Sequence, residues 1–484
     1  MLLKSTFTPI LTSLPTKTKR PPRLYLLTKA RDLSTQNNPR PVRQNAKDNT
    51  PSLLLLHKLP PKSAYIHLPF CRKRCHYCDF PIIALGSSSS TTYLNRNNDD
   101  SRISNYIETL CREIKATNLS SSSSNNNNNP PLETVFFGGG TPSLVPPHLV
   151  SSVLDMLSSK FGLCGDAEIS MEMDPGTFDA VAMKTLMSLG VNRVSLGVQA
   201  FQDELLKACG RAHGVGEVYE AIEIVKSCGI ENWSLDLISS LPHQTPSMWG
   251  ESLCLTLRAQ PTHVSVYDLQ VEQDTKFGVL YSPGEYPLPC ENQSAEFYRM
   301  ASKMLKGAGY DHYEISSYSK SGYRCKHNST YWENKPFHAF GLGSASYIGG
   351  VRFSRPRRLK EYVDYVHKLE DGVVSFTSDG IIIDAKELAM DVVMLSLRTA
   401  DGLDLKCFRE AFGDSLMLSI CEVYKPHVES GHVIFSDEHG RNVAADELIH
   451  SMSNEKLAYV RLSDPDGFLL SNELLSLAFG VIAP

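Results

Sequence analysis

The run Ala64-Tyr65-Ile66-His67-Leu68-Pro69-Phe70-Cys71-Arg72-Lys73-Arg74-Cys75-His76-Tyr77-Cys78 joins a short β-forming segment to three cysteines spaced C-x3-C-x2-C. Thiols that follow a strand directly lie at its C-terminal end, which in a parallel barrel is the end that carries chemistry. Three thiolates on one short loop can ligate three irons of a 4Fe–4S cube and leave the fourth iron open. A structural zinc site takes four ligands, and His76, adjacent to Cys75, is awkwardly placed to be the fourth. The loop's own cations, Arg72, Lys73 and Arg74, are expected to favour the thiolate forms. The other nine of the twelve cysteines are scattered, which fits a reducing compartment with one local metal or cluster site rather than a disulfide scaffold.

Outward from this loop the strand-then-helix pattern recurs. Strands are predicted at Ala64–Leu68, Thr134–Phe137, Glu168–Met173, Arg193–Val198, Trp233–Ile238 and His263–Leu269. Helices are predicted at Ile103–Asn118, His148–Phe161, Asp179–Leu189, Gly216–Ser227 and Ser247–Ala259. The later strands recur at about thirty residues, the length of a βαβ unit. Apolar runs such as Val135-Phe136-Phe137 suggest strands buried on both faces. The chain therefore reads as α/β, either a doubly wound sheet or a partial barrel, over residues 58–290. Residues 86–101 and 119–131 are Ser/Asn/Asp-rich inserts too polar to bury a core. A connecting region, 291–380, contains a predicted helix at Ser294–Gly307. A smaller α+β domain is expected over 381–484, with helices at Ala385–Thr399, Leu405–Phe412 and Ala445–Ser451 and a β-like run at Phe468–Ser471.

Length and charge narrow the function classes. At 484 residues the chain is expected to hold two or three domains. No apolar run reaches the ~18 residues of a membrane span. The net charge of −5 argues against a nucleic-acid binder. Residues 1–50 are different, with ten Lys/Arg against two acids, Asp32 and Asp48. With their Ser, Thr and Pro content they read as an organelle transit peptide, mitochondrial in preference to chloroplast.

The cysteine loop resembles the signature of the radical S-adenosylmethionine (SAM) superfamily. The resemblance implies a partial (β/α)6 barrel, a 4Fe–4S cluster on Cys71, Cys75 and Cys78, and SAM bound to the open iron. In that superfamily the reduced cluster passes an electron to the sulfonium and releases a 5′-deoxyadenosyl radical, so an electron donor such as a flavodoxin or ferredoxin is implied. Further strand-end residues resemble, in order, the SAM contacts of the coproporphyrinogen dehydrogenase (HemN-like) family. They are Tyr65; Phe80, near the cluster; Gly139, Gly140 and Thr141 in Gly138-Gly139-Gly140-Thr141-Pro142; Glu172; Gln199; Arg211; and Asp236. By residue type, Glu172 and Asp236 could accept bonds from ribose hydroxyls or the amine, and Arg211 could pair with the methionyl carboxylate.

Two readings of function follow. HemN-type dehydrogenases carry a further cysteine two residues after the third, where this chain has Phe80. The haem-chaperone (HemW) branch lacks it and carries H-N-x-x-Y-W, matched by His327-Asn328-Ser329-Thr330-Tyr331-Trp332. Neutral imidazole is a good axial haem ligand. On this resemblance His327 would ligate haem, Asn328 would orient it, Tyr331 and Trp332 would pack on the porphyrin, and Cys325 is a second soft donor. The first expectation is therefore a haem chaperone that hands haem to an acceptor protein, with any membrane contact made through that acceptor. The alternative is an oxygen-independent coproporphyrinogen III oxidase that decarboxylates two propionates. A zinc-structured interaction protein is the third class.

Overall fold

Six strands follow one another in both sequence and space. In a computed structural model that describes residues 53, 58–86, 100–117, 130–374, 384–445, 447 and 457–483, they are β1 (Ser63–Leu68), β2 (Leu132–Gly139), β3 (Leu163–Met173), β4 (Arg193–Gln199), β5 (Asn232–Ser239) and β6 (His263–Asp268). Three short strands complete the sheet: β7 (Asp311–Glu314), β8 (Ser317–Ser319) and β9 (His338–Phe340). The sheet order is β9-β1-β2-β3-β4-β5-β6-β8-β7, parallel throughout except at β8 and β7. Unbroken sequential order with a crossover helix between neighbours is the winding of a partial (β/α)6 barrel, not of a doubly wound sheet, whose order reverses.

The crossover helices are Ser101–Ala116, Pro147–Phe161, Ala180–Ser188, Val215–Cys228 and Pro246–Ala259, with a short Asp203–Ala208 ahead of the fourth. Their starts obey local rules. Asp100 and Asp179 cap the first and third by accepting from backbone N–H groups, and Thr245 caps the fifth ahead of Pro246. Asp100 and Ser101, expected within an insert, thus begin the first helix. The transit segment, most of both inserts and most of the helix predicted at Ala445–Ser451 lie outside the described residues.

The strands are buried on both faces, as expected, but only one face is apolar. Ala64, Ile66, Val135, Phe137, Ile169, Met171, Val194, Leu196, Leu235, Leu237, Val264 and Val266 form one apolar cluster with the helices. Alternate positions point the other way and are largely polar: Ser63, Tyr65, His67; Glu168, Ser170, Glu172; Arg193, Ser195; Ser234, Asp236; His263, Ser265. The lumen residues keep the strand's period of two, and many of them are buried despite their polarity.

A second apolar cluster lies under helices Ala385–Leu397, Asp414–Glu429 and Ser471–Ile482 and a four-stranded antiparallel sheet, so the C-terminal part is α+β. Phe468–Ser471 is not β. Asp466–Leu469 is a helical turn running into Ser471–Ile482, whose buried Leu474, Leu475, Ala478 and Ile482 recur at helical spacing. Among the described residues no helix is long and apolar enough to cross a membrane.

Candidate functional site

The cysteine loop sits on the C-terminal rim of the barrel. Phe70–Cys71 pairs in parallel with Ile83–Ala84, so the chain is tied back as soon as it leaves β1. The end of β2 is stitched to the same segment: Gly140 N–H donates to Leu68 O (2.9 Å) and Thr141 N–H to Phe70 O (2.6 Å). A Cβ on Gly140 would lie 2.6 Å from Phe70 O, so no side chain fits. This approach brings the Thr141 hydroxyl within 3.6 Å of Cys71 Sγ. Gly139 has φ of +108°, and a Cβ there would meet the His67 ring; its N–H donates to Glu172 Oε2 at 3.1 Å.

Arg211 reaches the loop from beyond β4. Its Nη1 lies 3.4 Å from Cys75 Sγ and 3.0 Å from Tyr77 OH. Its Nη2 donates to Gly197 O at 3.0 Å and is ion-paired with Asp174. Arg72, beside Cys71, donates to Pro175 O (2.9 Å) and lies 4.0 Å from the same Asp174 carboxylate. Gln199 ends β4 with φ of +70°, next to a register shift against β5. Non-glycine residues held there tend to mark functional positions.

Arg74 favours the Cys78 thiolate as expected, but burial outweighs the loop's cations. Burial pushes the Cys71 thiol up to about 12 despite the Thr141 hydrogen bond, and it raises Cys78 despite a backbone hydrogen bond at Phe80 and the charge of Arg74. The guanidinium groups are turned to other acceptors: Arg72 to Pro175 O and Gly176 O, and Arg74 to Cys78 O and Phe80 O. Coordination reverses this order, because a metal-bound thiol is deprotonated outright. Among the described residues no three His, Cys, Asp or Glu side chains converge where a single ion would sit. A cube, however, takes one thiolate per corner and requires no such convergence. The donor set fits an iron–sulfur cube, and Arg211 Nε, buried without a partner among the described residues, is a donor left over for an anionic group.

Below the rim, Glu172 and Asp236 face the upper lumen. Asp236 accepts from Ser195 (2.8 and 3.0 Å) and Ser234 (3.0 Å). Burial raises it nonetheless. Burial also raises Glu172, and the Asp236 charge raises it further. Tyr65 stacks on Phe136 (6.2 Å between centroids) and lies 3.3 Å from His67 Nδ1.

The N-terminal end of the barrel is closed by helix Lys326–Trp332. Ser63 and Thr330 hydroxyls meet at 3.0 Å. The His327 ring is fully buried. Its Nδ1 is 2.7 Å from Thr134 Oγ1, its Nε2 is 2.7 Å from Tyr331 OH, and its backbone N–H donates to Glu168 at 3.3 Å. Burial, with Arg193 adding, lowers this imidazole to about 3. In this conformation both ring nitrogens of His327 are engaged, so haem ligation there would require these two contacts to open. Tyr331 meets Phe337 edge-on at 4.5 Å, and Tyr331 and Trp332 are buried against protein rather than displayed to a porphyrin. Cys325 is buried 3.8 Å from Glu168 Oε1, with its thiol pushed up to about 12 by burial.

Of the residues expected around SAM, the fold gathers Tyr65, Gly139, Gly140, Thr141, Glu172, Gln199, Arg211 and Asp236 at the rim and upper lumen. The Phe80 carbonyl accepts from Arg74 just past the loop. The His327 group lies at the opposite end. Sequence reasoning missed Tyr77 and Asp174. Tyr77 is buried in an apolar cluster with Leu205, Leu241 and Phe277. A signal for Asp174 existed, since it follows Glu172 by two residues and shares its side of the strand.

Comparisons with known proteins bear on the family and the fold. The Radical SAM superfamily model matches residues 65–253. The chain is 38% identical over 429 residues to "Heme chaperone HemW" of Synechocystis, covering 88% of this chain and 98% of that protein. It is 31% identical to the bovine "Radical S-adenosyl methionine domain-containing protein 1, mitochondrial", covering 58% of this chain and 59% of that one. The solved HemN coproporphyrinogen III oxidase of Escherichia coli superposes with a TM-score of 0.66 at 20% identity, covering 88% of this chain and 92% of that one. At that identity the likeness concerns the fold.

Proposed function

The chain belongs to the HemW family of radical SAM proteins, and from that premise we propose that it is a haem chaperone, binding haem and passing it to an acceptor protein. The observation that carries the proposal is the match over nearly the whole length of a heme chaperone, joined to a rim whose donors fit a cluster. Cys71, Cys75 and Cys78 would hold a 4Fe–4S cluster. The Arg211 Nε, Gln199, Glu172 and Asp236 would receive SAM, with Tyr65, Gly139, Gly140, Thr141 and Phe80 shaping its bed. When bound, the cluster supplies a low-potential electron and SAM a sulfonium able to accept it. An electron donor of flavodoxin or ferredoxin type belongs to this reading.

Haem at His327 requires helix Lys326–Trp332 to withdraw. That breaks the His327–Thr134 hydrogen bond, worth about 0.5–1.5 kcal/mol net, and iron at Nε2 would displace the Tyr331 hydroxyl. Asn328, Tyr331 and Trp332 would line the opened face. The test uses anaerobically reconstituted protein loaded with haem and mixed with a haem-depleted acceptor. Transfer of the Soret signal to the acceptor is the expected result. Failure to bind haem, or formation of protoporphyrinogen from coproporphyrinogen III with SAM and reductant, overturns it, the latter in favour of the oxidase.

The basic segment 1–50 would direct import into an organelle. The bovine relative's name supports a mitochondrion, and the greater identity to a cyanobacterial protein makes a plastid the competing outcome. A fluorescent fusion of residues 1–50 distinguishes the two.

A further inference from the structure

We infer that Asp174 is a positioning residue for the cluster: it holds Arg211 so that the guanidinium donates to the sulfur of Cys75. The inference rests on the reading of Cys71, Cys75 and Cys78 as cluster ligands and adds to it a residue that reading does not use. Three cationic or protonatable groups converge on Asp174. Arg211 is ion-paired to it, Arg72 lies at 4.0 Å and His213 Nδ1 at 3.4 Å. The carboxylate is held below its usual range: burial opposes ionisation, and the Arg211 charge, His213 and Arg72 outweigh it.

The geometry gives Arg211 two distinct halves. Nη2 is taken up by Asp174 and Gly197 O, which fixes the plane of the guanidinium. Nη1 is left to reach Cys75 Sγ at 3.4 Å and Tyr77 OH at 3.0 Å. Arg72 flanks the other end of the loop, beside Cys71, and is held by Pro175 O just after Asp174. One carboxylate at the end of β3 thus braces the cysteine loop from both sides. Gly197 belongs to the same arrangement, because a Cβ there would lie 3.4 Å from Arg211 Nη2 and 2.9 Å from Gln199 Nε2.

Hydrogen bonds to cluster sulfurs and nearby charge set a cluster's reduction potential. A cation donating to Cys75 favours the reduced cluster, whose extra electron it stabilises. Asp174 acts in the opposite sense as a charge and in the same sense as an anchor, and these two contributions can be separated. Asp174→Asn keeps an oxygen acceptor for Nη2 and removes the charge. Asp174→Ala removes both.

The test is a potentiometric titration of the reconstituted cluster, read by EPR without SAM so that carboxylate binding by Arg211 does not enter. Arg211→Gln is expected to lower the potential. Asp174→Ala is expected to lie below Asp174→Asn, and that gap is expected to vanish when Arg211→Gln is present. Equal potentials for Asp174→Ala and Asp174→Asn would leave Asp174 as a charge only and overturn the inference. Should Asp174→Ala fail to fold, Arg211→Gln against Arg211→Lys decides, since an unchanged potential in Arg211→Gln overturns it as well. A wild-type sample that takes up no iron defeats the cluster reading itself, whereas a cluster indifferent to these substitutions defeats only the role of Asp174.

Discussion

Replacing His327 with alanine separates a structural imidazole from a displayed ligand. In the fold this ring is fully buried, stacks on Phe136 at 5.2 Å between centroids, and engages two hydroxyls at 2.7 Å. Alanine removes a large side chain from a packed site, a change that typically costs 2–5 kcal/mol. It also leaves the Thr134 and Tyr331 hydroxyls unpaired, at about 1–3 kcal/mol each unless a water enters. The contributions overlap, and the expected loss is about 3–5 kcal/mol at pH 7. An exposed histidine waiting for iron would cost about 0.5 kcal/mol or less. The pH dependence is a second check. Burial lowers His327 to about 3 from an unfolded value near 6.5. The folded state thus excludes a proton that the unfolded chain binds below pH 6.5. The stability this residue contributes is complete above pH 6.5 and is lost as pH falls toward about 3, at roughly 1.4 kcal/mol per unit. Alanine has nothing to titrate, so the difference between the two proteins should shrink by about 3 kcal/mol between pH 7 and pH 4. The buried His263 and His338 are present in both and cancel. Urea unfolding followed by circular dichroism at the two pH values measures this. Equal midpoints at pH 7, or a difference that does not move with pH, would refute the buried reading and restore His327 as an open ligand.

Gly139→Ala should cost more than about 2 kcal/mol and lower the iron retained after reconstitution, because φ is +108° and the new Cβ meets the His67 ring; thermal melts and iron assay check it. Glu172, raised by burial, holds a cationic SAM amine more strongly when ionised. SAM affinity in the wild type should therefore weaken as pH falls, and Glu172→Gln should bind weakly with a shallower pH profile by calorimetry, Asp236 being left to titrate. If haem is carried at the floor, pulsed EPR between ferric haem and the reduced cluster should give a separation of roughly 20 Å or more, and near-contact coupling would move haem to the rim.

The barrel was legible because its period is long and repeated. Strand and helix runs alternate from Ala64 to Leu269, and every expected strand in that interval is present within a few residues. The lumen was less legible. Ser195, Ser234 and Asp236 carry the right parity, but their partnership crosses from β4 to β5 and depends on register. The Arg211–Asp174 pair is 37 residues apart in the chain and reflects how two loops close over a third. The packing of the floor helix was not legible for a local reason. In Lys326–Trp332, His327 and Tyr331 are four residues apart, so a helix places them on one face. There the Tyr331 hydroxyl satisfies the imidazole while no ligand is bound, a pairing that follows from helical spacing and that the motif alone does not reveal.

The two ends of the barrel bear directly on which chemistry the chain can support. β3 alone carries Glu168 at the floor and Glu172 in the lumen, and Asp174 follows at the rim. At about 3.3 Å per residue, the six steps from Glu168 to Asp174 span roughly 20 Å. The cysteine loop belongs to the Asp174 end and His327 to the Glu168 end. Hydrogen abstraction requires the reacting atoms to be about 3–3.5 Å apart, so a porphyrin held by His327 lies well beyond the reach of an adenosyl group held at the rim. A decarboxylase needs its porphyrinogen propionates in the upper lumen instead, against Tyr65, Glu172 and Asp236. Haem carried at the far end asks for helix Lys326–Trp332 to move, so the two activities draw on opposite ends of one barrel, and the match along nearly the whole length of a heme chaperone is what favours carriage.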